Sequence, residues 1–160
     1  MSIAIVCVGK LREKALRQLA DEYLKRLARF GKIEETEIPD LPEPAGEIAA
    51  AREEQIRFRE GEGILKTIRP GDRVIALTIP GREMTSVELA DHIRQLRIGG
   101  AGRIVFVIGG SLGLGKNVLA RADEEISMSR MTFPHQLARV ILLEQLYRTE
   151  KIIAGERYHK

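Results

Sequence analysis

Residues 103–116 read RIVFVIGGSLGLGK, and the fold turns on this stretch. Ile104 to Ile108 is a short apolar run rich in β-branched residues that stops abruptly at Gly109 and Gly110, the pattern of a buried strand emptying into a glycine loop. Paired glycines let the backbone turn sharply and approach a ligand with no Cβ in the way. The loop is therefore expected to present backbone amides to a small molecule.

The same move is made on either side. Downstream, Ile126 to Met131 reads as a strand running into Thr132, Phe133, Pro134 and His135 before a long helix from about Gln136. Upstream, Val74 to Ile79 reads as a strand ending at Pro80 and Gly81. In a largely parallel sheet the carboxyl ends of the strands share one edge, where ligands are usually held, so these three loops are expected to form one pocket.

Around them the chain alternates strands with helices. Ile3 to Val8 is an apolar strand. Lys10 to Phe30 reads as an amphipathic helix, with Leu16, Leu19, Tyr23 and Leu27 recurring between charges. Ile33 to Ile38 alternates like a half-exposed strand, and Pro39, Pro42, Pro44 and Gly46 then break regular structure. A helix is predicted from Glu47 to Ile68, weakened by Gly61 and Gly63 and ended by Pro70-Gly71; another starts at Ser86 as cap, with Leu89, Ile93 and Leu96 as its apolar stripe. The order β-α-β-α-β-α-β-α-β-α implies an α/β fold, a mainly parallel sheet flanked by helices. Its 160 residues, 44% hydrophobic, suit a single domain over 1–160.

The last helix is apolar nearly all round: Leu137, Val140, Ile141, Leu142, Leu143, Leu146, Tyr147, Ile152 and Ile153 surround its axis. Such a helix must be covered on most sides, and a small chain has little to cover it with, which predicts a homodimer with this helix in the interface. The lone Cys7 lies in the first apolar run, as a core residue of a cytoplasmic protein would. Neither a signal peptide nor a membrane-spanning run is evident.

The net charge of +3 is concentrated at one end: residues 129–160 carry six Lys or Arg against three Glu, leaving 1–128 balanced. A basic region beside a small-molecule pocket is either an ordinary solvated helix face or a surface for an anionic second substrate, nucleic acid foremost.

Gly110 to Lys116 has the spacing of a phosphate-binding P-loop, but Asn117 stands where Ser or Thr should hold magnesium. Zinc-ligand spacing and a nucleophile elbow are both missing. Glu144 and Arg148, four apart on one helix face, form either a surface ion pair or a polar stripe aimed into the pocket. The closing Arg157-Tyr158-His159-Lys160 is either a frayed end or a stacking ring and an imidazole placed over a nucleobase. His135, after Phe133-Pro134, reads first as a packed structural histidine.

Taken in order, IGGSLGLGK, SMSRMTFPHQ, LLEQLYR and the closing YHK resemble the RlmH family of SPOUT-class RNA methyltransferases over essentially the full length. The resemblance implies a deep trefoil knot in the C-terminal half, S-adenosylmethionine as cofactor, a homodimer, and methylation of N3 of a pseudouridine in large-subunit ribosomal RNA, in assembled ribosomes. It assigns cofactor binding to Leu77, Gly109, Met128, Ser129, Arg130, Met131, Thr132 and Phe133. Glu144, Arg148, Tyr158 and His159 fall to the substrate side as catalytic residues, with His135 beside them. Two positions depart from the family pattern: Thr78 stands where an acid is common, and Glu150 where an aromatic residue is. On this reading Arg148 stabilises charge developing on the base, Tyr158 stacks on it or hydrogen-bonds it, and His159 assists removal of the N3 proton. The alternative function is a non-catalytic ribosome-associated RNA-binding protein, which would need no cofactor loop.

Overall fold

The structure, a computed structural model, describes residues 2–47 and 49–159. Ten elements alternate along it: β1 (Ser2–Val8), α1 (Lys14–Leu27), β2 (Lys32–Ile38), α2 (Ala50–Leu65), β3 (Arg73–Glu83), α3 (Ser86–Ile98), β4 (Arg103–Ile108), α4 (Lys116–Arg121), β5 (Glu124–Ser127) and α5 (His135–Ile153). This is the predicted order. All strand pairs are parallel, and the sheet runs β2-β1-β4-β3-β5.

Side-chain alternation along the central strands builds two cores. Ile3, Ile5 and Cys7 join Ile75, Ile104, Phe106 and Ile108 on one face; Ala4, Val6 and Val8 join Val74, Val105 and Val107 on the other. Strands apolar at every position must be covered on both sides. Helices α1, α3 and α5 cover the first face, α2 and α4 the second. Each fully buried aliphatic side chain contributes roughly 1.5–3 kcal/mol. Crossovers toward the β2 edge use the first face and those toward the β5 edge the second, so all four share one hand.

Several boundaries differ from the sequence reading, each for a tertiary reason. Helix α1 is shorter than 10–30, and Leu19, expected on its apolar face, is 44% exposed while Ala20 is buried. Strand β3 does not end at Pro80: it continues to Glu83 because it pairs with β5 twice, with a register shift between Leu77 and Arg82. Only glycine fits at position 81, where a Cβ would lie 2.6 Å from the carbonyl carbon of Ile126 on β5. Strand β5 stops at Ser127, so Met128 to Met131 belong to the loop that follows.

Thr85, not Ser86, caps α3. Its side chain accepts from the Glu88 N–H, and Glu88 reaches back to the Thr85 N–H. The Ser86 hydroxyl instead donates to Gln145 on α5 (2.7 Å).

Helix α5 lies on the first face with α1 and α3, and Val140, Leu142, Leu143, Leu146 and Tyr147 are buried within this one chain. The argument that so small a chain could not cover it therefore fails for most of its surface. One strip stays open or half-buried: Leu137, Ile141, Glu144, Gln145, Arg148 and Ile152. Among the described residues, no helix is long and apolar enough to cross a membrane.

Candidate functional site

The three loops meet. A cavity of about 960 Å³ opens at the carboxyl ends of β3, β4 and β5. One wall is Leu77 to Pro80, a second the glycine loop from Ile108 to Leu114, and a third the loop after β5, through Met128, Ser129, Met131, Thr132 and Phe133. His135 and Ala138, in the first turn of α5, close one end.

The glycine loop folds back on itself, with a Gly110–Gly113 bridge and a Gly113 N–H donating to the Gly110 carbonyl (3.0 Å). A Cβ on Gly109 would sit 2.5 Å from the carbonyl carbon of Gly113, so this compact turn requires glycine there. In the third loop Ser127 Oγ donates to the Ser129 carbonyl (2.9 Å), and Ser129 Oγ accepts from the Met131 N–H (3.0 Å). These local bonds brace the turn of the loop.

Of the residues assigned to the cofactor by resemblance, Arg130 alone does not line the cavity. Its side chain is 89% exposed and points outward, 3.9 Å from Glu83. Thr78, noted in the sequence as a departure from the family pattern, lines the cavity together with Glu125, which the sequence did not single out. The Thr78 hydroxyl donates to Glu125 (2.8 Å). An acid therefore stands beside position 78 on the neighbouring strand, a juxtaposition visible only once β3 and β5 are paired.

His135 does face the cavity. Burial, joined by the positive charge of Arg139, holds its imidazole below the ordinary histidine range, with Asp40 and Glu43 acting the other way.

Arg139, one turn further, is 1% exposed. It donates through Nη1 to Glu35 (2.8 Å) and Glu37 (2.6 Å) and through Nη2 to the Gly9 carbonyl (2.7 Å). One of the basic residues counted toward a C-terminal surface is therefore inside the protein. Two more are paired: Lys151 with Glu156, and Arg148 with Glu144. Beneath Arg139, burial pushes the Cys7 thiol up to about 12, so it is an unreactive core residue.

Glu144, Arg148, Tyr158 and His159 come together as one cluster. Arg148 bonds Glu144 (Nη2 to Oε1, 2.6 Å) and lies 3.4 Å from His159 Nδ1, and its guanidinium sits 4.8 Å from the Tyr158 ring centroid. The Tyr158 hydroxyl donates to Glu144 (3.2 Å) and the ring stacks edge-on against Tyr147, so the tail is docked rather than frayed. Burial and the neighbouring Tyr23 and Glu144 push the Tyr158 phenol up to about 12, keeping it a hydrogen-bond donor. Lys160 lies outside the described residues.

None of these four lines the cavity of its own chain. Arg148 is thirteen positions along α5 from His135, roughly 20 Å at 1.5 Å per residue. Within one protomer the polar stripe does not aim into the pocket; of the two readings the sequence left open, the Glu144–Arg148 ion pair is the one seen in a single chain.

The P-loop resemblance ends in packing. Asn117 Nδ2 donates to the Phe58 carbonyl (3.0 Å) and lies against Gly61, locking α4 onto α2. The family departure at Glu150 is also structural: its buried carboxylate pairs with Arg97.

Comparison with known proteins accounts for these features together. Residues 1–159 match the family described as "Predicted SPOUT methyltransferase". The chain is 53% identical over 162 residues to a protein of Bifidobacterium animalis subsp. lactis, 51% over 160 residues to one of Alkaliphilus oremlandii and 50% over 160 residues to one of Bacillus pumilus. In each case both chains are covered completely, and all three relatives are named "Ribosomal RNA large subunit methyltransferase H".

Proposed function

The chain belongs to the SPOUT methyltransferase family, and from that premise we propose that it is an S-adenosylmethionine-dependent methyltransferase of large-subunit ribosomal RNA, acting on N3 of a pseudouridine. The observation that carries the reading is the convergence of three strand-end loops on one cavity. Its residues suit the cofactor. Leu77, Ile108, Leu114, Met128 and Phe133 offer apolar surface for a purine and a thioether-like chain. Ser129, Thr132 and the glycine-loop backbone offer hydrogen bonds, and Glu125 a negative charge, to its polar and cationic parts. When bound, S-adenosylmethionine supplies an electrophilic methyl group on a sulfonium sulfur.

The protein's own task is to bring N3 of the base to that methyl and to manage one proton. Positioning accounts for most of the acceleration in such a transfer. Arg148 stabilises the negative charge that develops as N3 is deprotonated. Tyr158, a phenol at working pH, hydrogen-bonds or stacks on the base, and His159 accepts the proton. Glu144 holds Arg148 and Tyr158 in register.

These groups reach a cavity only if it belongs to a second copy. The open strip of α5 is apolar beside the cavity, at Leu137 and Ile141, and charged further along, at Glu144 and Arg148. Two such strips packed antiparallel about a two-fold axis near their middle set Arg148 of each copy beside the first turn of the other's α5. Ile79 and Met131, exposed at the cavity rim, would be covered in the same contact. The trefoil knot that the resemblance implies belongs to the same reading.

Large ribosomal subunits lacking the modification, incubated with the protein and S-adenosylmethionine, should gain one methyl group at a single pseudouridine by mass spectrometry of RNA digests. RNA binding with no methyl gained, and no heat on titration with the cofactor, would leave the non-catalytic alternative.

A further inference from the structure

The solvent face of α2 is unlike the rest of the surface. Phe58 is 48% exposed in its centre, in an open groove of about 740 Å³ that also takes in Arg52, Gln55, Arg59 and Glu62. Isolated exposed apolar residues need no explanation, but the groove around this ring also holds Arg52 and Arg59, which have no carboxylate partner among the described residues, while its Glu54 is paired with Arg57. Arg52 bonds only Gln55 (2.7 Å). By contrast Arg57, on the inner side of the helix, is held by Glu53 and Glu54 and reaches the Leu112 carbonyl of the glycine loop (3.4 Å).

The groove borders the candidate cavity. Glu54 lines both, and Arg57 and Lys116 line the cavity where the two meet. The backbone that carries the ring is held to α4, since the Phe58 carbonyl accepts from Asn117. An exposed aromatic ring that shares its groove with Arg52 and Arg59, beside the proposed cofactor cavity, has the chemistry of a single-strand platform. A base stacks on the ring and the arginines neutralise flanking phosphates.

We propose that the α2 face is a second RNA-contact surface, on which an unpaired nucleotide flanking the modified loop stacks on Phe58 while Arg52 and Arg59 hold its phosphates. This rests on the reading of the chain as an RNA methyltransferase. It assigns to α2 a role in holding the substrate RNA, separate from cofactor binding and from the Arg148 cluster.

The test compares the full-length protein with Phe58→Ala, Phe58→Trp and the double variant Arg52→Ala/Arg59→Ala, using protein-free large-subunit rRNA and whole large subunits as probes. Phe58→Ala should weaken binding to both about tenfold, and Phe58→Trp should retain it. The double variant should lower the slope of log affinity against log salt by about 1.5. S-adenosylmethionine affinity by calorimetry reports whether each variant keeps its fold. Unchanged RNA affinity and salt slope in a wild type that methylates RNA would overturn this inference alone. Weakening seen only with whole subunits would assign the face to a ribosomal protein and overturn the RNA assignment. A wild type that neither binds nor methylates RNA would sink both readings.

Discussion

Arg139 shows how little a residue's type says about its place. Counted in sequence it adds to a basic C-terminal surface; in the structure it is a buried cation bound to Glu35 and Glu37, on the strand that reads from sequence as half-exposed. Removing one member of a buried ion pair leaves uncompensated charge behind, at about 3–5 kcal/mol. Arg139→Met should lower unfolding stability by that order in urea titrations. Glu60 carries the opposite sign: burial raises its carboxyl pKa above the usual range, although the Leu41 N–H donates to it (3.0 Å). A raised folded-state pKa contributes stability below the unfolded value near 4.5, and that contribution is lost as pH climbs through the folded value. Glu60→Gln keeps the acceptor and should therefore melt higher than wild type at pH 7, the gap closing in scans run below pH 4.5. For Arg148, the group assigned to stabilise developing charge, Arg148→Ala should cut single-turnover methyl transfer by about 10²–10³ while unfolding in urea stays close to wild type, since the side chain it leaves is a partly exposed one.

At the scale of elements, the strands and helices were mostly legible because their patterns are local. The run 104–108 is a strand wherever it goes, and an apolar period of three and four marks α3 whatever it packs on. What misled were segments whose ends are set by a neighbour. Strand β3 was read as stopping at Pro80-Gly81, the usual strand breakers, yet a second stretch of pairing with β5 carries it on to Glu83. Gly81→Val tests that account: a side chain there meets the Ile126 backbone, so the variant should lose S-adenosylmethionine binding in calorimetry as the wall formed by Leu77 to Pro80 shifts. The Ser86 cap failed for a milder reason. Two hydroxyl residues stood side by side, and the reciprocal bond with Glu88 selects Thr85. The cavity was legible too, because loops at the carboxyl ends of parallel strands must share an edge. Arg130 was not, since a loop residue's direction depends on turns the pattern does not encode.

For the whole molecule, the decisive fact is separation: a complete cavity and a complete charged cluster sit at opposite ends of one helix. If catalysis joins them across a two-fold axis, two inactive proteins should rescue each other. A variant blocked in the cavity, Gly109→Trp, mixed with Arg148→Ala and allowed to exchange subunits, should recover about a quarter of wild-type activity, since half the dimers are mixed and each holds one intact site. No recovery, with mixed dimers confirmed by native mass spectrometry, would place all the chemistry in one protomer. The sequence by itself determined the alternation of strands and helices, the two faces of the sheet, the glycine loop and the order of motifs that marks the family, because each is written in neighbouring residues. Only the tertiary structure decided that β3 and β5 pair twice, that α5 is mostly covered by its own chain, that Arg139 is buried and that Arg148 stands away from its own cavity. Those outcomes come from contacts between residues as much as 130 positions apart, whose free energies no local pattern records.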